Sequence, residues 1–173
     1  GGIGNVTLLI GQDIHQIQAF DTGPGNMMIN EACRQLYHQE YDDQGTIASQ
    51  GKVISGLLDE LMAHPYMQKV PPKSTGREDF GENYVRLIIN KYKNEKSEDF
   101  ITTFTYFTAK SMAYHYQKYI LDKYPIHQIV IGGGGSHNQT LMRFIKNEFK
   151  NIPVYTQDEL GYSSDAKEAI AFA

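Results

Sequence analysis

The chain has 173 residues, of which 40% are hydrophobic and 21% are charged, a composition typical of a globular protein with a sizeable core. Its formal net charge of -4 argues against a nucleic-acid partner. The sequence shows no apolar run long enough to cross a bilayer, no signal peptide and only one cysteine, Cys33. We therefore expect a cytoplasmic protein with no membrane partner and no internal disulfide.

The chain begins with patterns typical of a hairpin followed by helices. β-Branched and aliphatic residues predict a strand over residues 5–10, and alternating polarity predicts a second strand over residues 14–20, paired with the first. Apolar residues at helical spacing then predict a helix over about 26–39, with Asn26 as its N-cap, and another over about 46–63.

From about residue 84 onward the sequence predicts four helices and two strands. A short helix is expected at about residues 84–89, and Ser97 is a suitable cap for a helix that reaches about residue 124. Its aromatic stripe indicates a buried helix face rather than a binding surface. The segments predicted to follow are a strand before the glycine run, a helix over 138–149, a strand in IPVYT and a closing helix over 163–173.

This order of elements predicts an α/β fold. A hairpin, helices, and then strands that alternate with helices give one mixed sheet with flanking helices, antiparallel at its start and parallel at its end. We expect a single domain over residues 1–173. The chain opens on glycines and closes on AIAFA within a helical pattern, which indicates a piece of a longer protein.

Two glycine-rich turns are candidates for binding a nucleotide. In IVIGGGGSHN a buried strand runs into Gly132–Gly135 and then a helix, which allows backbone N–H groups to approach a ligand closely. The run is neither a Walker loop nor a dinucleotide fingerprint, because no Gly-Lys-Ser/Thr follows and His137 replaces the third glycine. A tight strand-to-helix turn is the alternative, although four glycines exceed what such a turn needs. GGIGN at residues 1–5 is a similar turn and predicts a second grip on the same nucleotide.

Asp21 is the candidate for acid–base chemistry. It is placed at the end of a predicted strand, before the sharp turn TGPG at residues 22–25, where the active sites of α/β proteins lie. A loop aspartate that binds nearby backbone N–H groups is the alternative. Together with the glycine turns, a general base or a partner of a metal ion is the favoured interpretation.

KSTGRE, at residues 73–78, is a second polar turn. It places Lys73, Arg77 and Glu78 at a predicted helix start, where an anion could bind, and a solvated loop is an equal alternative. The six histidines show no metal-binding spacing, and no serine or cysteine nucleophile motif occurs. We predict no metal site formed by protein ligands.

Taken together, GGIGNVT, AFDTGPGN, PPKSTGRE, IGGGGSHN and EAIAFA resemble, in order and spacing, the C-terminal half of the anhydro-N-acetylmuramic acid kinase family. The resemblance covers essentially the whole chain. It implies a lobe of ribonuclease-H-like, actin-like ATPase fold, with ATP in the cleft between two lobes. The N-terminal lobe, with its first phosphate loop, and the first strand of this lobe's sheet are absent from the sequence, so we expect the N-terminal lobe as a partner.

The resemblance also implies a reaction and a set of site residues. The family opens 1,6-anhydro-N-acetylmuramic acid with water and phosphorylates O6 with ATP and Mg²⁺, giving N-acetylmuramic acid 6-phosphate in cell-wall recycling. Asp21 matches the catalytic base, and Glu168 matches a residue near the sugar. The residues that match ATP-binding positions are Gly1, Gly2 and Asn5 of the second phosphate-binding loop, Gly132, Gly133, Gly134 and Gly135 of the adenosine loop, and Asn138.

Two other functions stay open at this point. A non-catalytic nucleotide-binding regulator of the same superfamily would keep the glycine turns, but it needs no base such as Asp21. An interaction domain with purely structural glycine turns is the other alternative, and the truncated ends argue against it. We also expect a homo-oligomer, because a missing first strand leaves a sheet edge unpaired.

Overall fold

The computed structural model describes residues 2–8 and 18–161. Within these residues, β1 (Gly4–Leu8) pairs antiparallel with β2 (Gln18–Gly23). Strands β3 (Ile129–Ile131) and β4 (Val154–Thr156) pair in parallel. The predicted change from antiparallel to parallel pairing is therefore confirmed. The predicted closing helix over 163–173 lies outside the described residues.

Seven α-helices surround these strands in the described part of the chain. Their bounds are α1 Met27–Tyr37, α2 Ser55–Met62, α3 Pro65–Gln68, α4 Arg77–Phe80, α5 Glu82–Lys91, α6 Ser97–Tyr116 and α7 Gln139–Glu148. The short helix predicted at 84–89 is thus the middle of α5. No helix in the described ranges is both long and apolar enough to cross a membrane.

The long helix α6 joins two hydrophobic clusters. Its first half packs Phe100, Phe104 and Phe107 into a core formed with the helices α1, α2 and α5. Its second half packs Met112 and Tyr116 against residues of both strand pairs and of α7. The predicted buried stripe is confirmed, since the three phenylalanines are at most 2% exposed.

The single mixed sheet predicted from the sequence is wrong for the described residues. They form two separate two-stranded sheets, β1–β2 and β3–β4. Both pairs bury side chains in the same cluster, among them Val6 and Ile131. The two sheets are thus joined by side-chain packing around α6, and no described ladder of backbone hydrogen bonds connects them.

The helix predicted over residues 46–63 is confirmed only in its second half, as α2, and is wrong over 46–54, because the α-helix begins at Ser55. Both carboxylate oxygens of Asp42 accept backbone N–H groups, from Ile47 at 2.8 Å and from Ala48 at 3.0 Å. These bonds hold the segment as turns and compete with a helix. Gly51 then packs so closely on α6 that a Cβ there would lie 2.5 Å from the carbonyl oxygen of Glu98.

Three predicted helix ends differ from the structure, at least in part. Asn26 occupies the N-cap position of α1 as predicted, but its side chain makes no capping hydrogen bond. Lys96, rather than Ser97, occupies the cap position of α6. The α-helix ends at Tyr116 and continues as one π-helical turn, Gln117–Leu121, so it stops short of residue 124. Ends depend on local turn geometry, which apolar spacing does not specify.

His115 is a buried histidine on α6 and makes the fold sensitive to acid. Its Nδ1–H donates to the carbonyl oxygen of Ser111 at 2.6 Å, and its Nε2 has no hydrogen-bond partner among the described residues. Burial, with smaller effects from the charges of Lys73 and Lys118, lowers the pKa of His115 to about 4, despite the bond to Ser111.

We expect stability to fall as the pH drops from 7 to 5. The unfolded chain takes up the His115 proton below a pKa of 6.5, whereas the folded chain resists it until about pH 4. The loss is about 2 kcal/mol by pH 5. Urea titrations of the wild type and of His115→Phe at both pH values check this. The variant should lose less stability than the wild type, and equal losses would contradict the prediction.

Candidate functional site

The turn Gly23–Pro24–Gly25 packs directly against the start of β1. Gly25 has φ +53°, and a Cβ there would lie 2.6 Å from the backbone nitrogen of Gly4. The N–H of Met27 donates to the carbonyl oxygen of Gly2 at 2.8 Å. The hydroxyl of Thr108 on α6 donates to the carbonyl oxygen of Gly25 at 2.6 Å. Only glycine allows this approach of two backbones. The turn at residues 23–25 and the glycine turn at residues 2–4 are therefore held together as one unit.

The glycine run after β3 is left open on one side. Gly133 has φ +80°, and a Cβ there would meet nothing within 4 Å among the described residues. A Cβ at Gly134 or Gly135 would instead lie 3.7 Å or 3.4 Å from the side chain of Asn26. Asn26, predicted as a helix cap, therefore faces the glycine run at the start of α1.

Asn138, three residues after the glycine run, is the N-cap of α7. Its Oδ1 accepts the backbone N–H of Leu141 at 2.9 Å, at the first turn of α7. Asn138 is 7% exposed. Its side-chain oxygen is therefore committed to the protein backbone.

Two cavities lined by described residues adjoin the glycine run. The smaller, of about 140 Å³, lies between the two glycine-rich turns, and its lining includes Gly2, Gly4, Gly25 and residues 132–135. The larger, of about 960 Å³, lies between α1, the loop at residues 40–44 and the end of the glycine run. Cavities of several hundred cubic ångströms are the usual size for small-molecule sites. The larger cavity can hold a bulky ligand while the smaller admits a narrow group.

Asp21 lies inside β2, two residues before its end, and not at the strand end as predicted. One carboxylate oxygen accepts the side-chain amide of Asn5 at 2.9 Å. The other accepts the backbone N–H of Thr75 at 3.0 Å. The N–H of Asp21 donates to the carbonyl oxygen of Lys73 at 3.1 Å, and the hydroxyl of Tyr66 donates to the carbonyl oxygen of Asp21 at 2.7 Å.

The KSTGRE turn packs against β2. Its backbone N–H at Thr75 donates to the carboxylate of Asp21, so this part of the turn contacts the protein rather than solvent. Lys73 points elsewhere: its ammonium donates to the carbonyl oxygen of Tyr66 at 2.9 Å and lies 4.5 Å from the centre of the Tyr66 ring. Burial, with smaller effects from Lys118 and Lys69, lowers the pKa of Lys73 to about 8.

The structure divides the site residues predicted from the sequence into groups, and Asp21 and Asn5 are not among the residues that line the two cavities. Gly2 and the glycine run share the smaller cavity, and Asn138 lines the larger one. Asn5 contacts the carboxylate of Asp21. Gly1 and Glu168 lie outside the described residues. In the described part of the chain, no group of three acidic, histidine or cysteine side chains could hold a metal ion.

Sequence reasoning missed part of the larger cavity and most of the surroundings of Asp21. The loop at residues 40–44 and Arg34 line the cavity, and no sequence motif predicted a site at either place. Tyr66 and Thr75 reach Asp21 from positions 45 and 54 residues away in sequence. The one usable signal was the anion-binding character of KSTGRE.

Comparison with known proteins adds a family to this geometry. The family model described as Anhydro-N-acetylmuramic acid kinase matches residues 1–173. The chain is 47% identical over 176 residues to the anhydro-N-acetylmuramic acid kinase of Bacillus cereus (strain AH820), covering 100% of the chain and 46% of that relative. It is 50% identical over 173 residues to the protein of the same name from Clostridioides difficile (strain 630), covering 99% of the chain and 45% of that relative. The chain thus spans about half the length of the curated relatives it matches.

Proposed function

The chain belongs to the anhydro-N-acetylmuramic acid kinase family, and from this premise we propose that it forms the C-terminal lobe of such a kinase. The full-length protein would open the 1,6-anhydro ring of anhydro-N-acetylmuramic acid with water and phosphorylate O6 with ATP. The product would be N-acetylmuramic acid 6-phosphate, an intermediate of peptidoglycan recycling. The observation that carries this proposal is the carboxylate of Asp21, which is held by two donors on the strand that leads into the turn at Gly25, and Gly25 lines the smaller cavity.

Asp21 is proposed as the general base. Its carboxylate takes a proton from the water that attacks the anomeric carbon, and the bond between that carbon and O6 breaks. The released O6 attacks the γ-phosphorus, and ADP leaves. Each carboxylate oxygen accepts one described hydrogen bond, so each retains a lone pair for the water.

The glycine-rich turns at residues 1–5 and 132–135 are proposed to bind ATP. The open side of Gly133 allows backbone to approach a phosphate closely, and the smaller cavity admits only narrow groups. The larger cavity, about 960 Å³, has room for the adenosine. Gly1, Gly2, Asn138 and the run 132–135 are the proposed ATP-binding residues, and Glu168 is proposed to bind the sugar.

Mg²⁺ would neutralise charge on the phosphates when it is bound. No described cluster of protein ligands fits it, so we propose that it enters with ATP. The N-terminal lobe would supply the other wall of the cleft. An actin-like ATPase fold, a cytoplasmic location and a homo-oligomeric state complete the proposal. Light scattering on the full-length protein tests the last of these, and a monomer would contradict it.

A coupled assay for ADP tests the proposed reaction. Full-length protein that contains this chain should release ADP only when the anhydro sugar and Mg²⁺ are both present. Mass spectrometry in ¹⁸O-labelled water should place the label in the sugar and not in the phosphate, because water attacks carbon. ADP release that does not depend on the sugar would favour the nucleotide-binding regulator instead.

The 173-residue chain alone is expected to show no turnover. Phosphoryl transfer needs phosphates that are positioned from both walls of the cleft. This chain is proposed to form only one of the two walls. The same ADP assay, run on the purified chain at the concentration used for the full-length protein, checks this. Sugar-dependent ADP release from the chain alone would show that the other lobe is dispensable.

A further inference from the structure

We propose that Asn5 and the backbone N–H of Thr75 are a positioning pair that fixes the orientation of the Asp21 carboxylate. This inference rests on the proposed role of Asp21 as a base. It gives Asn5 a task different from the ATP contact implied by the family resemblance. It also gives the KSTGRE turn a role in the site, because the donor N–H of Thr75 belongs to this turn.

The two donors lie on different segments of the chain, and each binds a different oxygen of the Asp21 carboxylate. Asn5 lies across the ladder from Asp21 on β1 and donates to one oxygen. Thr75 donates to the other oxygen from a segment 54 residues away in sequence. An aspartate side chain has two rotatable bonds, and one hydrogen bond on each oxygen restrains both of them. The face of the carboxylate that meets the water is thereby set before the substrate binds.

The β1–β2 ladder is irregular at this point. Gly4 pairs with Gly23 and Asn5 pairs with Asp21, so Thr22 is an extra residue on β2. Bulges of this kind re-aim side chains and are frequent beside active sites. The hydroxyl of Thr22 is buried without a hydrogen-bond partner in the described residues. The ladder thus departs from regular pairing directly beside Asp21.

The KSTGRE turn is itself fixed to β2. The backbone bond between Asp21 and Lys73 joins the two segments at 3.1 Å. The hydroxyl of Thr75 donates to the carboxylate of Asp79 on α4 at 2.7 Å. The N–H of Thr75 is therefore presented by a turn that is held at both of its sides. Supporting contacts of this kind give a catalytic group its precision.

The test replaces Asn5 in the full-length protein. Asn5→Leu keeps the approximate size of the side chain but removes the donor. We expect kcat to fall about tenfold to a hundredfold, while the Kd for ATP stays within about twofold. Asn5→Gln restores an amide donor and should recover part of kcat. Thr7→Val is the matched control, since Thr7 lies two residues away on β1 and pairs with Ala19, and it should leave kcat unchanged.

Several outcomes would overturn the positioning role. These are an unchanged kcat for Asn5→Leu, no recovery by Asn5→Gln, or a tenfold weaker Kd for ATP with normal kcat, which would place Asn5 in the phosphate loop. If Asn5→Leu does not fold, Asp79→Ala releases the hydroxyl of Thr75 instead. It should lower kcat without changing the Kd for ATP, and a wild-type kcat would contradict the proposal.

The double variant separates this inference from the proposed function. Asn5→Leu should slow Asp21→Asn no further, because Asn5 acts through Asp21. If Asp21→Asn is inactive and Asn5→Leu is fully active, only the positioning role fails. If Asp21→Asn remains active, the base assignment fails and the positioning role fails with it.

Discussion

Replacing Asp21 by asparagine in the full-length protein is expected to lower kcat by about two to four orders of magnitude while the Kd for ATP stays close to the wild-type value. Asparagine has nearly the same shape but cannot accept a proton from the attacking water. The carboxylate contacts Asn5 and Thr75, and neither contact is part of the proposed adenosine cavity. Steady-state kinetics with the anhydro sugar and calorimetry with ATP give the two quantities.

Asp122→Asn is the matched control for this prediction. It makes the same chemical change at an exposed aspartate that follows the π-helical turn, and its kcat should equal that of the wild type. If Asp21→Asn kept a tenth or more of the wild-type kcat, the proton would have to be taken by another group.

Gly133→Val is expected to weaken ATP binding about tenfold or more. Gly133 has φ +80° and open space beside it, so a side chain would occupy the room proposed for the nucleotide. The ψ of Gly133 is -171°, and this combination of φ and ψ is essentially restricted to glycine, so another residue adds about 1–3 kcal/mol of strain. Binding of the sugar should change far less, because the substitution leaves Asp21 and its partners in place. Calorimetry with each ligand separately distinguishes the two effects.

Gly56→Val is the control for Gly133→Val. Gly56 lies on α2, and a Cβ there also meets nothing within 4 Å among the described residues. Its variant should bind ATP as the wild type does. If Gly133→Val folds and binds ATP normally, the glycine run is only a turn between β3 and α7.

Local patterns predicted the elements that periodicity alone determines. The aromatic stripe of α6 and the strand before the glycine run follow directly from apolar spacing and β-branched residues. The first half of the helix predicted over 46–63 is wrong because one local contact and one long-range contact overrule its apolar pattern. The carboxylate of Asp42 ties down the turn, and Gly51 is pressed against α6.

The sequence predicted which residue types form the candidate site but not the contacts that these residues make. Glycine turns and a lone carboxylate can be recognised in sequence because their chemistry is local. The partnership of Asp21 with Thr75 could not be, since it depends on how a distant turn packs on β2. The same holds for Asn26, whose place before a helix indicated a cap while its side chain faces Gly134 and Gly135.

A crystal structure of the full-length protein with the anhydro sugar and a non-hydrolysable ATP analogue would test the central claim most directly. We expect the adenosine in the cavity between α1 and the glycine run, and the phosphates beside Gly133. A carboxylate oxygen of Asp21 should lie within hydrogen-bonding distance of a water molecule that faces the anomeric carbon. A nucleotide bound away from the glycine run, or a sugar whose anomeric carbon lies out of reach of such a water, would contradict the account.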